Sequence, residues 1–330
     1  MTPPLRDVAS SLVLTGLQDG DLERGGLARY PFGGFVFFDR NAPTLAALRG
    51  LTDRIRKRYS DLAPILAIDQ EGGRVMRLRE GVAPMPSAAV LGRANDAALA
   101  ASTGTRCAFD LRRGGCNLDL APVIDLALDE NNAVIGDRSF GAQPALVLEM
   151  ARAFSSGLEN GGVVATYKHF PGHGATAVDS HEALPVIAVP EATLRERDFV
   201  PFAALAPRAH AFMTAHVVIE ALDSERPATL SHRILTRLLR DEMHFRGVCF
   251  TDCMQMGAVA KGVGSVEGAL LAILAGADAV TVSHDPLLAA EVVERIVRAV
   301  ENREIPAERL NEAAARVAAL RRRLARPLPI

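Results

Sequence analysis

The 330-residue sequence contains no tryptophan, three tyrosines and 13 phenylalanines, so aromatic residues make up only 5% of it. A chain this poor in aromatics offers no row of rings on which the bases of a single strand would stack. Charge of one sign is also missing: 37 Lys and Arg stand against 39 Asp and Glu, a formal net of −2. Without a basic excess there is no electrostatic footprint for nucleic acid or for an anionic membrane surface. No stretch reaches the roughly 18 apolar residues of a membrane span. The apolar run from Val8 to Leu17 is short and interrupted by Ser10, Ser11, Thr15 and Gly16. The first residues lack the basic segment, apolar core and small-residue cleavage site of a secretory leader. The four cysteines, Cys107, Cys116, Cys249 and Cys253, follow no zinc-like spacing, so reduced, mostly buried thiols are expected. A cytoplasmic protein fits these absences.

What the chain does have is a regular alternation. Hydrophobic residues make up 49% and charged residues 23%, enough apolar material for a large core. Short apolar runs at 11–17, 34–38, 65–69, 117–124, 163–169, 211–218, 247–252 and 277–283 read as eight strands. Several are continuously hydrophobic, as strands covered on both faces should be. Between and after them, apolar residues recur at three- and four-residue intervals over 44–59, 89–113, 144–159, 191–205, 231–243, 266–275, 286–302 and 307–326, the period of amphipathic helices. Glycines at 114–115, 161–162 and 276 follow helices, where a C-terminal glycine belongs. Strands alternating with helices imply a parallel sheet. Eight repeats imply an α/β fold, a single (β/α)₈ TIM barrel, with no compositional break to divide residues 1–330 into domains.

On that reading polar residues collect at the C-terminal ends of the strands: Asp39 and Arg40, Asp69, Asp125, Lys168 and His169, His216, Asp252 and His284. A lone aspartate there would be a helix cap. Seven such positions on one rim mark a site, because barrel interiors want branched apolar side chains and barrel chemistry gathers at that face. The densest segment, 167–185, leaves a strand and enters a loop with Gly172 and Gly174, the kind of loop that closes over a barrel mouth. Within it Asp179 and His181 are two apart and share a side of an extended chain. A carboxylate beside an imidazole fixes its tautomer and suits it to proton transfer. In 247–257 an apolar strand delivers Asp252, either as a cap or as a nucleophile, and Met254 and Met256 read as packing. In 68–77 a strand ends in Asp69 before a Gly-Gly turn and two arginines; neither GxxxxGK[ST] nor GxGxxG is present, which argues against a phosphate cradle.

Together these segments resemble the β-N-acetylglucosaminidases of glycoside hydrolase family 3. The resemblance rests on Asp69-Gln-Glu-Gly-Gly-Arg-Val with Arg77, Asn117-Leu-Asp-Leu-Ala-Pro-Val with Asp125, and Ile135-Gly-Asp-Arg-Ser-Phe140. It continues through Lys168-His-Phe-Pro-Gly-His-Gly174, Asp179-Ser-His181, Met213-Thr-Ala-His216 and Thr251-Asp252. It implies a retaining β-N-acetylhexosaminidase with Asp252 as nucleophile, His181 as acid/base and Asp179 as its dyad partner. It also implies that Asp69, Arg77, Arg138, Lys168 and His169 hold the N-acetylglucosamine ring. No cofactor or metal is implied. The implied partner is a GlcNAc-containing saccharide, with muropeptide fragments as the usual substrate class, acted on by a monomer. Family glucosidases usually carry a further domain that supplies a glutamate acid; this sequence ends without one, which favours the hexosaminidase branch. Many relatives also have a second acid after the nucleophile, then Leu-Ser-Met, where this chain has Cys253-Met-Gln-Met, a departure that bears on substrate preference.

Three other readings compete. A metal-dependent hydrolase would use His169, His173, Asp179 and His181, but Pro171-Gly172 prevents the helix that would align the first pair. A phosphorylase would exploit a histidine base that does not repel phosphate. A sugar-binding protein without catalysis would leave the nucleophile and dyad unexplained. A strand-borne Asp252 is expected to be rigid, with the Asp179–His181 pair reaching the glycosidic oxygen when its loop closes.

Overall fold

A computed structural model describes residues 3–18, 20–22, 29–129, 132–176 and 184–325. Among these residues nine strands form one sheet: β1 (Val13–Thr15), β2 (Gly34–Phe37), β3 (Ile65–Ile68), β4 (Leu118–Asp119), β5 (Val164–Ala165), β6 (Tyr167–Phe170), β7 (Ala211–Thr214), β8 (Val248–Cys253) and β9 (Ala279–Val282). Their order is β5-β4-β3-β2-β1-β9-β8-β7-β6. Each paired neighbour runs parallel. The two strands at the ends of that order, β5 and β6, are separated in sequence by Thr166 alone. Thr166 N donates to Asp119 O at 3.0 Å and Ile124 N donates to Lys168 O at 2.8 Å, so the sheet curls back on itself into a nearly closed barrel.

The strands are the apolar runs of the sequence, and β1, β2, β3, β7 and β9 are buried at every residue. Helices cover the outside. Leu45–Arg58, Pro144–Asn160, Ser265–Ala275, Pro286–Glu301 and Ala307–Leu324 lie within two residues of where the apolar period places them. Their starts follow local chemistry: Thr44 caps Ala47 N, Asp285 caps Leu287 N and Leu288 N, and Pro144 and Pro286 sit in the first turn. A Phe cluster joins barrel to helix, with Phe212 stacked on Phe245 at 4.6 Å and Phe170 edge-on to Phe202 at 5.4 Å.

Several expected elements break in ways that hydrophobic period alone does not show. The run expected as a strand over 11–17 begins with the end of a helix, Leu5–Ser11. The expected helix over 89–113 divides at Asn95, which takes a left-handed φ of 49°, and Asp96 then caps Ala98 N and Leu99 N. The helix over 191–205 becomes Glu191–Glu196 and Val200–Leu205, the second starting with Pro201 in its first turn. The run over 211–218 ends its barrel strand at Thr214. Val218–Ile219 belongs instead to a separate three-stranded sheet with Val186–Ile187 and Asp223–Pro227.

At the end of the barrel away from the strand C-termini lies a buried ionic knot. Asp278, fully buried just before β9, accepts from Cys249 N at 3.0 Å, Arg316 Nη1 at 3.0 Å and Arg309 Nη2 at 3.2 Å, and pairs with Arg240. It ties two outer helical segments to the strand that carries Asp252. Asp278→Ala would leave the buried Arg240 without its counter-charge, a loss on the order of 3–5 kcal/mol. Urea unfolding should show that decrease with KM unchanged, since the knot is at the far end from the pocket. A change under about 1 kcal/mol would show that the arginines are solvated in place.

Candidate active site

Because the strands run parallel, their C-terminal ends open on one side, and a pocket is sunk there. It is lined by Asp69 just after β3, Lys168 and His169 of β6, Asp252 of β8, and Ser283 and His284 just after β9. Arg138 enters from the short helical turn Gly136–Arg138, and Arg77 follows a hairpin formed by Gln70–Gly72 and Val75–Met76. That hairpin explains the Gly-Gly pair. Gly72 and Gly73 hold φ of 96° and 57°, and a Cβ on Gly72 would lie 2.2 Å from Pro86 O. The glycines are there for a tight return beneath neighbouring backbone, and the return brings Arg77 N back to Asp69 O at 3.2 Å.

The pocket floor is a ladder of charges. Lys168 Nζ bonds Asp69 Oδ1 at 2.6 Å and Glu71 Oε1 at 2.7 Å. Glu71 is also held in a fork by Arg138, Nε to Oε2 and Nη2 to Oε1, both at 2.8 Å. Burial alone would raise the Glu71 carboxyl, but Arg138 and Lys168 hold it well below the usual carboxylate range. In return, against the burial penalty, Asp69 and Glu71 hold Lys168 charged above its ordinary value. Arg138 Nη2 lies 3.4 Å from His169 Nε2, and His169 Nδ1 faces Asp125 Oδ2 at 2.7 Å. A carboxylate can only accept, so Asp125 takes the proton on Nδ1 and leaves Nε2 as an acceptor toward Arg138. Lys168 and His169 are joined by a cis peptide bond, and both side chains line the pocket.

Asp252 sits near the end of β8, with Oδ1 accepting from Cys253 N at 2.7 Å. Burial would raise its carboxyl, but its neighbours His216 and His169, the Cys253 amide and Lys168 hold it below the usual range. His216 is fully buried behind it, with Nε2 3.0 Å from Cys253 O and Nδ1 2.8 Å from Thr229 Oγ1. Because Cys253 O accepts, Nε2 carries a proton. Arg77 lies 3.9 Å from Asp69 Oδ2 and 3.8 Å from Asp39 Oδ1, and its buried Nε has no hydrogen-bond partner among the described residues.

Of the residues singled out in the sequence, Asp69, Arg77, Arg138, Lys168, His169, Asp252 and His284 share this one pocket. Asp125 and His216 stand behind it, orienting His169 and backing Asp252. Asp179 and His181 lie outside the described residues. Gly174 serves packing, since a Cβ there would meet Leu126 O at 1.9 Å, whereas Gly172 takes a φ of 133° with room around it; between them His173 N donates to Asp125 Oδ1 at 2.7 Å. Asn132 Nδ2 donates to His173 O at 3.1 Å, so this stretch is pinned rather than loose. His169 has a hydrogen-bond neighbour at both ring nitrogens, and no group of three or more His, Cys, Asp or Glu among the described residues is arranged to hold a metal. All four cysteines are buried and free. Glu71 is the important residue that sequence reasoning passed over; its place two positions after Asp69, on the same side of an extended chain, was the available signal.

Comparison with known proteins agrees with this arrangement. Residues 5–320 match the model of the glycosyl hydrolase family 3 N-terminal domain. A β-hexosaminidase of Pseudomonas aeruginosa is 40% identical over 262 residues, 78% of this chain and 77% of that one. A β-hexosaminidase of Alkalilimnicola ehrlichii is 37% identical over 86% of this chain and 82% of its own. Among solved structures, a family 3 β-N-acetylglucosaminidase from Paenibacillus superimposes with a TM-score of 0.94 at 36% identity, covering 98% of this chain. This chain spans 63% of that longer protein. A β-N-acetylhexosaminidase from Beutenbergia cavernae gives 0.88 at 30% identity, covering 97% of this chain and 99% of that one. No helix among the described residues is long and apolar enough to cross a membrane. With the family model running through every segment that builds the pocket, the chain belongs to glycosyl hydrolase family 3 and is a glycosidase.

Proposed function

We propose that this chain is a retaining β-N-acetylhexosaminidase that removes a terminal, non-reducing, β-linked N-acetylglucosamine. The observation that carries the reading is Asp252: a carboxylate held below the usual range at a strand end, lining a pocket that also holds the paired charges of Asp69, Glu71, Arg138 and Lys168. Asp69, Arg77, Arg138, Lys168 and His169 hold the terminal ring. Lys168 and Asp69 are suited to hydroxyls, since one donates and the other accepts, and the Arg77 guanidinium lines the same pocket as a further donor group. Asp252 then attacks C1 as the C1–O bond breaks, giving a covalent glycosyl-enzyme. His181, oriented by Asp179, delivers the proton to the departing oxygen. In the second half His181 removes a proton from water, whose oxygen bonds to C1 as Asp252 leaves. Two inversions at C1 make net retention.

The finer reading of the architecture goes with this. Counting β5 and β6 as one strand interrupted at Thr166 gives eight strands, a single (β/α)₈ domain over 1–330. The muropeptide source of substrate, the monomeric state and the cytoplasmic location belong to the same proposal. The test is product analysis on a nitrophenyl β-N-acetylglucosaminide, followed by NMR in buffer with and without phosphate. Free N-acetylglucosamine should appear first as the β anomer in both buffers. Initial α anomer would contradict the covalent mechanism. A sugar 1-phosphate formed only with phosphate would make the enzyme a phosphorylase. No release of nitrophenol would leave a binding protein.

A further inference from the structure

One wall of the pocket has no task in the steps above. Phe38, one residue past β2, and His284, two past β9, meet with ring centroids 5.2 Å apart and planes at 41°. The sheet order places β2 and β9 on either side of β1, so the two rings form one continuous edge. Both line the pocket that holds Asp252, yet His284 is exposed and Phe38 half-buried, whereas Lys168, Glu71 and His169 below are buried. The edge is held firmly. His284 N donates to Gln255 Oε1 at 2.8 Å, and Gln18 Nε2 donates to His284 O at 2.8 Å. Arg40 donates to Leu17 O and Ser283 O while its guanidinium lies 4.7 Å from the Phe38 centroid. Arg77 approaches the same ring at 5.6 Å.

Two rings with charged groups at their margin suit a pyranose: its C–H face lies on the rings, and its hydroxyls reach the charges. The terminal sugar needs the buried, fully polar part of the pocket, where its many oxygens find partners. What projects past it, toward the exposed edge, is the group on the other side of the scissile bond. We propose that His284 and Phe38 form the platform for the leaving saccharide, and that Gln255 keeps His284 in place. This rests on the hexosaminidase reading. It also gives Gln255 of the Cys253-Met-Gln-Met segment a purpose, because Gln255 is the residue that fixes His284, and Met256 lines the same pocket.

The experiment compares kcat/KM for the β-1,4-linked disaccharide of N-acetylglucosamine with that for methyl β-N-acetylglucosaminide. Both have an alkoxide leaving group, but only the first has a second ring to stack. The variants are His284→Ala, His284→Phe and Gln255→Ala, and the readout is the disaccharide-to-methyl ratio. An aromatic contact of ordinary strength makes that ratio fall about five- to tenfold in His284→Ala. It should be kept in His284→Phe and fall by a smaller factor in Gln255→Ala. A ratio unchanged in His284→Ala, including a parallel loss on both substrates, would overturn the platform while leaving the hydrolase standing. A wild-type protein inert on both substrates would instead overturn the hexosaminidase reading.

Discussion

Asp252→Asn should lower kcat on an aryl β-N-acetylglucosaminide on the order of 10⁴-fold or more, about 5.5 kcal/mol of transition-state stabilisation. The substitution is nearly isosteric and keeps an oxygen to accept from Cys253 N, which now bonds Asp252 Oδ1 at 2.7 Å, so the fold should survive and the thermal midpoint should move little. What is lost is the charge. An amide neither bonds to C1 nor balances the positive charge that develops there, so both halves of the reaction fail together. The loss cannot be recovered by raising substrate, because the ring binding proposed for Lys168, Asp69 and Arg138 should be largely intact. Asp252→Gly gives the complementary readout: added azide can enter the vacated space, bond to C1 and expel the aglycone, yielding the α-glycosyl azide. Substantial activity in Asp252→Asn, or β-azide from Asp252→Gly, would remove Asp252 from the nucleophile's role.

Much of this site was legible because a parallel barrel turns a local sequence event into a shared location. Each apolar run that ends in Asp, Lys or His delivers that residue to the same rim, whatever its distance along the chain. Asp69 and Lys168 are 99 residues apart, yet their side chains meet at 2.6 Å, and the strand ends alone were enough to place them together. Depth was much harder to read. Asp125 and His216 also end apolar runs, but nothing in the sequence distinguishes a residue that lines the pocket from one that backs it. That difference comes from the direction of a side chain after the strand has ended. Glu71 illustrates the point: it lies beyond β3 in a hairpin whose return depends on Gly72 and Gly73 packing under Pro86 and Ser87. The glycines were visible, but the backbone they pass under was not. Phe38 was missed for the opposite reason. It reads as the last apolar residue of a strand, and only the curvature of the sheet brings His284 against it.

The second large effect concerns the proton. His181→Ala should reduce kcat/KM for alkyl or disaccharide leaving groups about 10²- to 10⁴-fold, the range for a positioned acid, while leaving a dinitrophenyl substrate almost unaffected. A dinitrophenolate departs without help, whereas a sugar alkoxide must be protonated as its bond breaks. The plot of log kcat/KM against leaving-group pKa should therefore steepen in the variant. A second consequence separates acid from base. In the variant the glycosyl-enzyme forms readily from the dinitrophenyl substrate but waits for water with no group to deprotonate it. For that substrate kcat should then fall while kcat/KM does not, and a burst of dinitrophenolate should precede the slow steady state. Asp179→Asn should move in the same direction by a smaller factor, since the imidazole remains but loses the carboxylate that orients it and stabilises its charged form. A loss of equal size across the whole leaving-group series would mean that His181 does not deliver the proton, and the acid would then have to be sought among the groups that line the pocket.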